Sequence, residues 1–396
     1  MPKLDAMDVF LTRGVENVYP SKAAVEKALA SGKKLRVYFG VDPTGPTLHL
    51  GHIISMRKLA ELQKMGHEVI LLIGDFTAMI GDPSDKTATR KRLTRKEVLA
   101  NCKLYKKQAS RILSFTGKNA AKVMFNSKWL GKMSFADVVE LTARATVQQM
   151  LQRDMFKKRM QEDQPIHIHE FLYPLMQGYD SVAMKVDMEV GGNDQTFNML
   201  MGRELVRDIQ GREKFVLASA LLVDPSGKKM GKTEGNMIAM TDSAEEMYGK
   251  VMSWTDGMVI PGFELITDVP ADEVKMMAAE IAEGKNPMPY KRRLAREVVE
   301  LLVGEREAEA ADAHFTRVHQ SGEAPEDIAT VKATKGMTLT EALVASGLVS
   351  SNTDARRQVE QRGVKVSGEV VEDPKAIVSA GQVIQKGKRH FVKIIS

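Results

Sequence analysis

Apolar residues along the first 240 positions fall into short runs separated by stretches of helical spacing. The stretch from Lys33 to Asp42 reads as a buried strand that stops at the turn Pro43-Thr44-Gly45-Pro46, and a helical pattern follows through Met56 and Leu59. Glu68 to Ile73 is a second apolar run, ended by Gly74-Asp75. Lys122–Phe125, Lys185–Val190 and Phe215–Val223 read as further strands, with helical patterns between them. Short apolar strands alternating with helices predict an α/β fold built on a largely parallel sheet covered on both faces. Ligands of such sheets bind beyond the carboxyl ends of the strands, so the loops after these runs are where chemistry is expected.

The pattern changes after about Thr241. Ser243 to about Gln320 is mostly helical, with Ala/Glu/Lys/Arg-rich stretches at Lys291–Leu302 and Glu305–His314. Gly322 to Lys335 holds turn formers and little periodicity, which reads as a linker. From Met337 the chain forms a compact unit, with helices expected at Thr340–Ser346 and Asn352–Arg362. Strands are expected around Val364–Val366, Val383–Ile384 and His390–Ile394. The expected organisation is an α/β domain over 1–242, a helical domain over 243–325, a linker over 326–336 and a small α+β domain over 337–396.

Composition narrows the class. A chain of 396 residues, 43% hydrophobic and 27% charged, suits a soluble globular protein of two or three domains. No run of 18 apolar residues predicts a membrane span, and Met1-Pro2-Lys3-Leu4-Asp5 opens no apolar signal segment. The single Cys102 excludes an internal disulfide and a cysteine-cluster metal site, which fits a reducing cytoplasm. The net charge of +6 matters less than its placement. Lys86 to Lys118 holds eleven Lys or Arg against one acid, Glu97, and the last sixty residues hold nine against six. Either block alone is compatible with a solvated surface. Two separated basic regions suit a long anion touched in more than one place, and duplex-rich RNA is the natural candidate.

Two strings carry candidate chemistry. His49-Leu50-Gly51-His52 sits where a loop becomes a helix; its histidines lie three apart on one face, Gly51 leaves room against the backbone, and a helix N-terminus favours phosphate. Two structural histidines near a turn would give the same string, and a zinc site lacks further ligands at suitable spacing. Far downstream, Pro225-Ser226-Gly227-Lys228-Lys229-Met230-Gly231-Lys232-Thr233 is a glycine-interrupted lysine loop able to close over a triphosphate. It is not a Walker A loop, because Gly227 and Gly231 are separated by three residues where that motif needs four. Solvated lysines on an exposed loop are the alternative reading.

Together, in this order and on this α/β pattern, the two strings resemble the HIGH and KMSKS signatures of class I aminoacyl-tRNA synthetases. Tyr173, Gln177 and Asp180 are spaced four and three apart on one helical face, followed by Gly191-Gly192-Asn193-Asp194-Gln195. These elements look like the amino-acid site of the tyrosyl-tRNA synthetases, as do Tyr38, Gly40 and Asp42 and the string Gly81-Asp82-Pro83-Ser84. The C-terminal order Ala355-Arg356-Arg357, Gly363-Val364-Lys365-Val366 and Gly387-Lys388-Arg389 resembles a small RNA-binding domain shared by those enzymes, a ribosomal small-subunit protein and pseudouridine synthases. The resemblance covers essentially the whole chain. It implies a Rossmann-like catalytic domain, an anticodon-side helical domain and an RNA-binding tail.

The resemblance also implies roles. Tyr38 and Asp180 would bracket a substrate phenol; Asp82, Tyr173 and Gln177 would hold the ammonium group, with Gln195 near the carboxylate. Gly40, Asp42, Gly51, Gly192 and Asp194 would meet ATP, and Met230, Gly231 and Thr233 would join Lys229 and Lys232 over it. His49, His52, Lys229 and Lys232 would stabilise the phosphates, helped by Thr44, Lys86 and Arg90. Arg356, Arg357, Arg362, Lys386, Lys388 and Arg389 would contact RNA phosphates. The expected reaction is attack of the tyrosine carboxylate on the ATP α-phosphate, followed by transfer to the terminal adenosine of tRNA. Magnesium would enter with ATP, with no protein cage. A homodimer is implied, with Phe135–Arg159 as its interface and an apolar spacing at Val138, Leu141 and Ala145. Three departures from the family pattern stand out: Phe39 in place of a small polar residue, Thr196-Phe197-Asn198 after Gln195, and Gly231 and Thr233 in place of serines. Ligation of another amino acid such as tryptophan, a catalytically inert RNA-binding relative, and a small-molecule nucleotidyltransferase are the competing readings.

Overall fold

The computed structural model describes residues 4–84, 93–224, 226–227, 237–319, 328–334, 336–387 and 390–396. The apolar runs become a six-stranded sheet: β1 (Val15–Tyr19), β2 (Arg36–Val41), β3 (Glu68–Ile73), β4 (Lys122–Phe125), β5 (Met188–Gly192) and β6 (Phe215–Ser219), in the order β1-β6-β5-β2-β3-β4. All neighbours pair in parallel except β1, which runs antiparallel to β6. The sequence reading missed β1 because this edge strand has no apolar run; its residues Val-Glu-Asn-Val-Tyr are exposed or half-buried. The inner strands are buried on both faces, as the unbroken run Val69–Ile73 requires.

Helix Leu50–Lys64 links β2 to β3 and buries Ile53, Ile54, Met56, Leu59 and Leu62. Helices Ile168–Met184 and Thr196–Gln210 flank β5 in sequence and pack closely on each other at Gly178 and Gly202. A Cβ on Gly178 would come within 3.1 Å of the Gly202 backbone nitrogen, so glycine at this crossing sets how near the two helices lie. The chain leaves β2 toward β3 on one side and reaches β5 and β6 on the other. The switch point of the sheet therefore falls between β2 and β5, and the carboxyl ends of these two strands open a crevice there.

The stretch Phe135–Arg159, expected as one helical stretch, falls in three helices, Phe135–Thr142, Val147–Leu151 and Asp154–Gln161, with caps at Ser134 and Thr146. Its spacing residues do not all point outward. Leu141 is buried in a cluster with Met150, Leu175 and Leu205, and Ala145 packs against it. The large exposed apolar side chains are instead Phe135, Val139, Val147 and Met160, joined by Ile168 at the start of the next helix. Helices Ala244–Met252, Val259–Ile266, Ala271–Ala282 and Met288–Leu302 follow the sheet in sequence.

Two compact units are present, Met1–Glu305 and Arg306–Ser396. The second carries helices Glu305–His319, Leu339–Ala345 and Asn352–Glu360. It also carries a five-stranded sheet of β7 (Ala329–Lys332), β8 (Val364–Val366), β9 (Glu369–Val370), β10 (Val383–Lys386) and β11 (His390–Ile395), in the order β7-β11-β10-β8-β9. Strand β7 falls within the stretch read as linker and pairs in parallel with β11. Leu339, Leu343, Ala355, Val359, Val364, Ile384, Val392 and Ile394 form this unit's core.

Candidate functional site

A cavity of about 300 Å³ opens at the switch point. Strand alternation puts Tyr38, Gly40 and Asp42 of β2 and its following residue on one side, and all three line the cavity. Phe39 alternates to the other face of β2 but also borders the cavity, its ring centroid 6.5 Å from that of His52. An aromatic residue at that position thus packs against the histidine pair.

The deep end is the least exposed. Tyr38 is fully buried, and its hydroxyl shares a 3.0 Å hydrogen bond with Ser181 Oγ. Asp180, on the same helix as Ser181, accepts from Trp129 Nε1 at 2.7 Å and from Asn126 Nδ2 at 3.2 Å. Burial pushes the Asp180 carboxyl well up, partly offset by these two donors. Burial likewise raises the Tyr38 phenol, helped by the charges of Glu189 and Asp180, so it stays a neutral donor. The two do not hydrogen-bond each other; each carries its own partners and faces the shared cavity.

Tyr173 and Gln177 follow on the same helical face. The Tyr173 hydroxyl donates to Asp42 Oδ2 at 2.8 Å, and Thr77 Oγ1 donates to Asp42 Oδ1 at 2.7 Å. Burial raises the Asp42 carboxyl to about 7 against these two donors. Gly74 makes this possible: a Cβ there would fall on the Asp42 carboxylate and the Thr77 hydroxyl. Gln177 Nε2 donates to Glu189 Oε1 at 3.1 Å, and Gln195 Nε2 donates to Asp82 Oδ2 at 2.8 Å.

The rim is built by the His-Leu-Gly-His string. His49 is the N-cap of helix Leu50–Lys64, and the histidines close a reciprocal cap: the Gly51 amide donates to His49 Nδ1 at 3.2 Å, and the His49 amide donates to His52 Nδ1 at 3.1 Å. With each Nδ1 accepting, the neutral tautomer carries its proton on Nε2. Both rings, 3.9 Å apart, line the cavity with Thr44 and Gly51. The string is anchored from far along the chain. The Leu50 amide donates to the Ile238 carbonyl at 3.1 Å and the Met240 amide to the Leu48 carbonyl at 2.8 Å. Leu221 and Leu222, from before the lysine loop, also line the cavity, so both flanks of that loop reach the rim.

Of the site residues expected from sequence, Tyr38, Gly40, Asp42, Thr44, His49, Gly51, His52, Asp82, Tyr173, Gln177, Asp180, Gly192, Asp194 and Gln195 all line this cavity. Lys86, Arg90, Lys229, Met230, Gly231, Lys232, Thr233, Lys388 and Arg389 lie outside the described residues. In the second unit Arg356, Arg357 and Arg362 are exposed, Arg357 pairing with Asp354 at 2.6 Å and Arg362 with Glu372. Lys386 is half-buried and donates to the Leu348 carbonyl.

Several cavity residues escaped the sequence reading: Thr77, Asn126 and Glu189 on the wall, and Trp129, Ser181 and Lys214 behind it. Arg153 is a further one; it is buried, donates to Ser84 Oγ and stacks over Phe197, bracing the Asp82–Ser84 turn. Glu189 and Lys214 left a readable signal, since each is a charge set in or beside an apolar strand. Asn126 and Thr77 left none.

A model for tRNA synthetases class I (W and Y) matches residues 30–320, and an S4 domain model matches residues 337–384. The tyrosine–tRNA ligase of Moorella thermoacetica is 44% identical over 97% of this chain and 94% of its own. That of Haemophilus ducreyi is 42% identical over 99% and 98%. Among solved structures, a C-terminally truncated mitochondrial tyrosyl-tRNA synthetase from Coccidioides posadasii superposes with a TM-score of 0.64 and 27% identity, covering 78% of this chain and 90% of that one.

Proposed function

The chain belongs to the tyrosyl-tRNA synthetase family of the class I tRNA synthetases, and on that premise we propose how its cavity and its second unit divide the work. The enzyme joins tyrosine to tRNA at the expense of ATP, through a tyrosyl-adenylate and then transfer to the 3′-terminal adenosine. Its own residues supply position and electrostatics for those two steps.

One observation carries the assignment of roles: the cavity runs from a deep, buried end at Tyr38 and Asp180 to a half-buried rim at His49 and His52. A phenol needs a desolvated hydrogen-bonding pocket, whereas a triphosphate with its magnesium needs access to water. Tyrosine therefore enters phenol first, between the neutral Tyr38 donor and Asp180. Its ammonium meets Tyr173, Gln177 and Asp82, and its carboxylate comes near Gln195. The adenosine lies along Gly40, Gly192 and Asp194, where glycine permits close backbone approach, with Asp42 between the two substrates. The Nε2–H groups of His49 and His52, at a helix N-terminus, donate to phosphate oxygens as charge builds during attack by the tyrosine carboxylate. Thr44, Lys86, Arg90, Lys229 and Lys232 add donors along the departing pyrophosphate, with Met230, Gly231 and Thr233 completing the loop. Magnesium arrives with ATP, held mainly by the phosphates and water.

The S4 domain binds RNA, and we assign its phosphate contacts to Arg356, Arg357, Arg362, Lys386, Lys388 and Arg389. The domain plan we assign is a catalytic domain over 1–242, an anticodon-side helical domain from 243, and an RNA-binding domain that takes in β7 as well as 337–396, so that 326–336 is not a linker throughout. No helix among the described residues is long and apolar enough to cross a membrane; with a lone, half-buried Cys102, the cytoplasm is the compartment we assign. A homodimer through this stretch fits its large outward apolar side chains, Phe135 at 84% exposed and Ile168 at 79% exposed among them.

The test of the phenol site is Tyr38→Phe, with tyrosine and phenylalanine compared in ATP–pyrophosphate exchange. Loss of one buried donor to the phenol should cut discrimination by about tenfold or more. Unchanged discrimination would remove Tyr38 from the phenol site.

A further inference from the structure

Glu189 occupies a position where a carboxylate is costly. It is the second residue of β5, a strand flanked on both sides, and only 2% of it is exposed. In register it stands directly beside Tyr38 on β2. Its two oxygens have separate partners. One accepts from Lys214 Nζ, and the other accepts from Gln177 Nε2 at 3.1 Å.

Lys214 is itself 0% exposed and sits just before β6. Its ammonium also donates to the Met199 carbonyl at 3.1 Å and lies 5.8 Å from the Tyr38 ring centroid. Gly202 makes the room, since a Cβ there would come within 2.6 Å of Nζ. Burying both ions costs several kcal/mol each before their attraction offsets it, and a hydrophobic pair of similar volume often serves stability as well. Stability alone therefore does not account for a charged pair at this point. What the pair touches does: Gln177 and Tyr38, which both face the cavity, and of the two Gln177 is the one whose orientation the pair can set.

We infer that Glu189, held in place by its ion pair with Lys214, is a positioning residue that fixes which end of the Gln177 amide meets the substrate ammonium. The inference rests on the reading that Gln177 binds that ammonium. The two ends of a carboxamide are nearly the same size, and only hydrogen bonds distinguish them. An ionised carboxylate accepts and never donates, so the Gln177 NH2 must turn toward Glu189 and the carbonyl oxygen toward the cavity. The reversed amide would set oxygen lone pairs against the carboxylate and offer the ammonium an N–H. Lys214 has a second effect. It cancels the charge of Glu189 beside a cavity that must admit a carboxylate and a triphosphate.

The test compares two ligands by calorimetry on the full-length enzyme: tyrosine, and 3-(4-hydroxyphenyl)propanoate, which lacks the ammonium. Gln177→Leu sets the reference and should weaken tyrosine about tenfold while leaving the second ligand within about twofold. Glu189→Gln, whose amide can present either end to Gln177, should reproduce that selective loss. So should the charge-free double variant Glu189→Leu with Lys214→Met, which serves if the single variant does not fold. Glu189 variants that weaken both ligands equally, or neither, would overturn the inference while the Gln177 reference stands, as would failure of both variants to fold. A Gln177→Leu variant without selectivity would instead remove Gln177 from the ammonium site.

Discussion

The Tyr173 hydroxyl donates to Asp42 across 2.8 Å, joining helix Ile168–Met184 to the residue that follows β2. Thr77 is the other donor to the same carboxylate, and together they hold an acid that burial has raised to about 7.

That shift makes a prediction about pH. A carboxyl whose folded value lies above its unfolded one stabilises the protein fully below the unfolded value near 4, and the contribution is lost as pH rises through about 7. Asp42→Asn removes the titration. Relative to the wild type, the ligand-free variant should gain stability between pH 5 and pH 8, by about 2 kcal/mol once water in the cavity is allowed for. Urea unfolding at the two pH values measures it; a pH-independent difference would show that Asp42 is ionised throughout.

Lys232 is assigned to phosphates and to nothing in the tyrosine pocket. Lys232→Ala should slow tyrosyl-adenylate formation by about a hundredfold, as expected for loss of an electrostatic donor to developing charge, with the tyrosine dissociation constant nearly unchanged. Single-turnover kinetics separates the two quantities. Equal loss in both would move the lysine into the amino-acid site.

Charge in the second unit should act on tRNA alone. The double variant Arg356→Glu with Arg357→Glu should weaken charging of tRNA and flatten its dependence on salt, because fewer counterions are released on binding. Pyrophosphate exchange should be unaffected. Substitution is a cleaner test than deleting 337–396, since β7 lies upstream of that segment and would lose its partner β11.

The outward apolar face makes a prediction about assembly. Phe135→Asp should raise the dimer dissociation constant by about a hundredfold or more, as removal of a central aromatic anchor does, read by sedimentation. A variant that sediments as the wild type does would place the interface elsewhere.

How much of this was legible in the sequence follows from where each signal lives. The parallel strands β2 to β6 announce themselves because burial on both faces demands uninterrupted apolar runs, and β1 stays silent because an edge strand does not. Tyr173, Gln177 and Asp180 share a helical face by spacing alone, so their convergence could be read without coordinates. Their partners could not. Asn126 reaches Asp180 from 54 positions away and Tyr173 reaches Asp42 from 131; pairing over such separations is a product of topology and leaves no local trace. The spacing at 138, 141 and 145 was ambiguous for a related reason: Leu141 fits an outward apolar stripe and an inward one equally well, and only the packing of Leu175 and Leu205 against it decides.

The bonds from Ile238 and Met240 to the cap at Leu48–Leu50 bear on the lysine loop in a further way. With Leu222 in the cavity wall on one side and Ile238 tied beside His49 on the other, both ends of the span that contains Lys229 and Lys232 are anchored at the cavity. A group on a span anchored at both ends meets a ligand between them at an effective concentration governed by the span's length, which varies only slowly as residues are added; this applies to the phosphate role proposed for Lys229 and Lys232. Glycines inserted into the segment would then erode the rate of activation by degrees. Cutting the anchor at Ile238–Met240 would remove the confinement in one step.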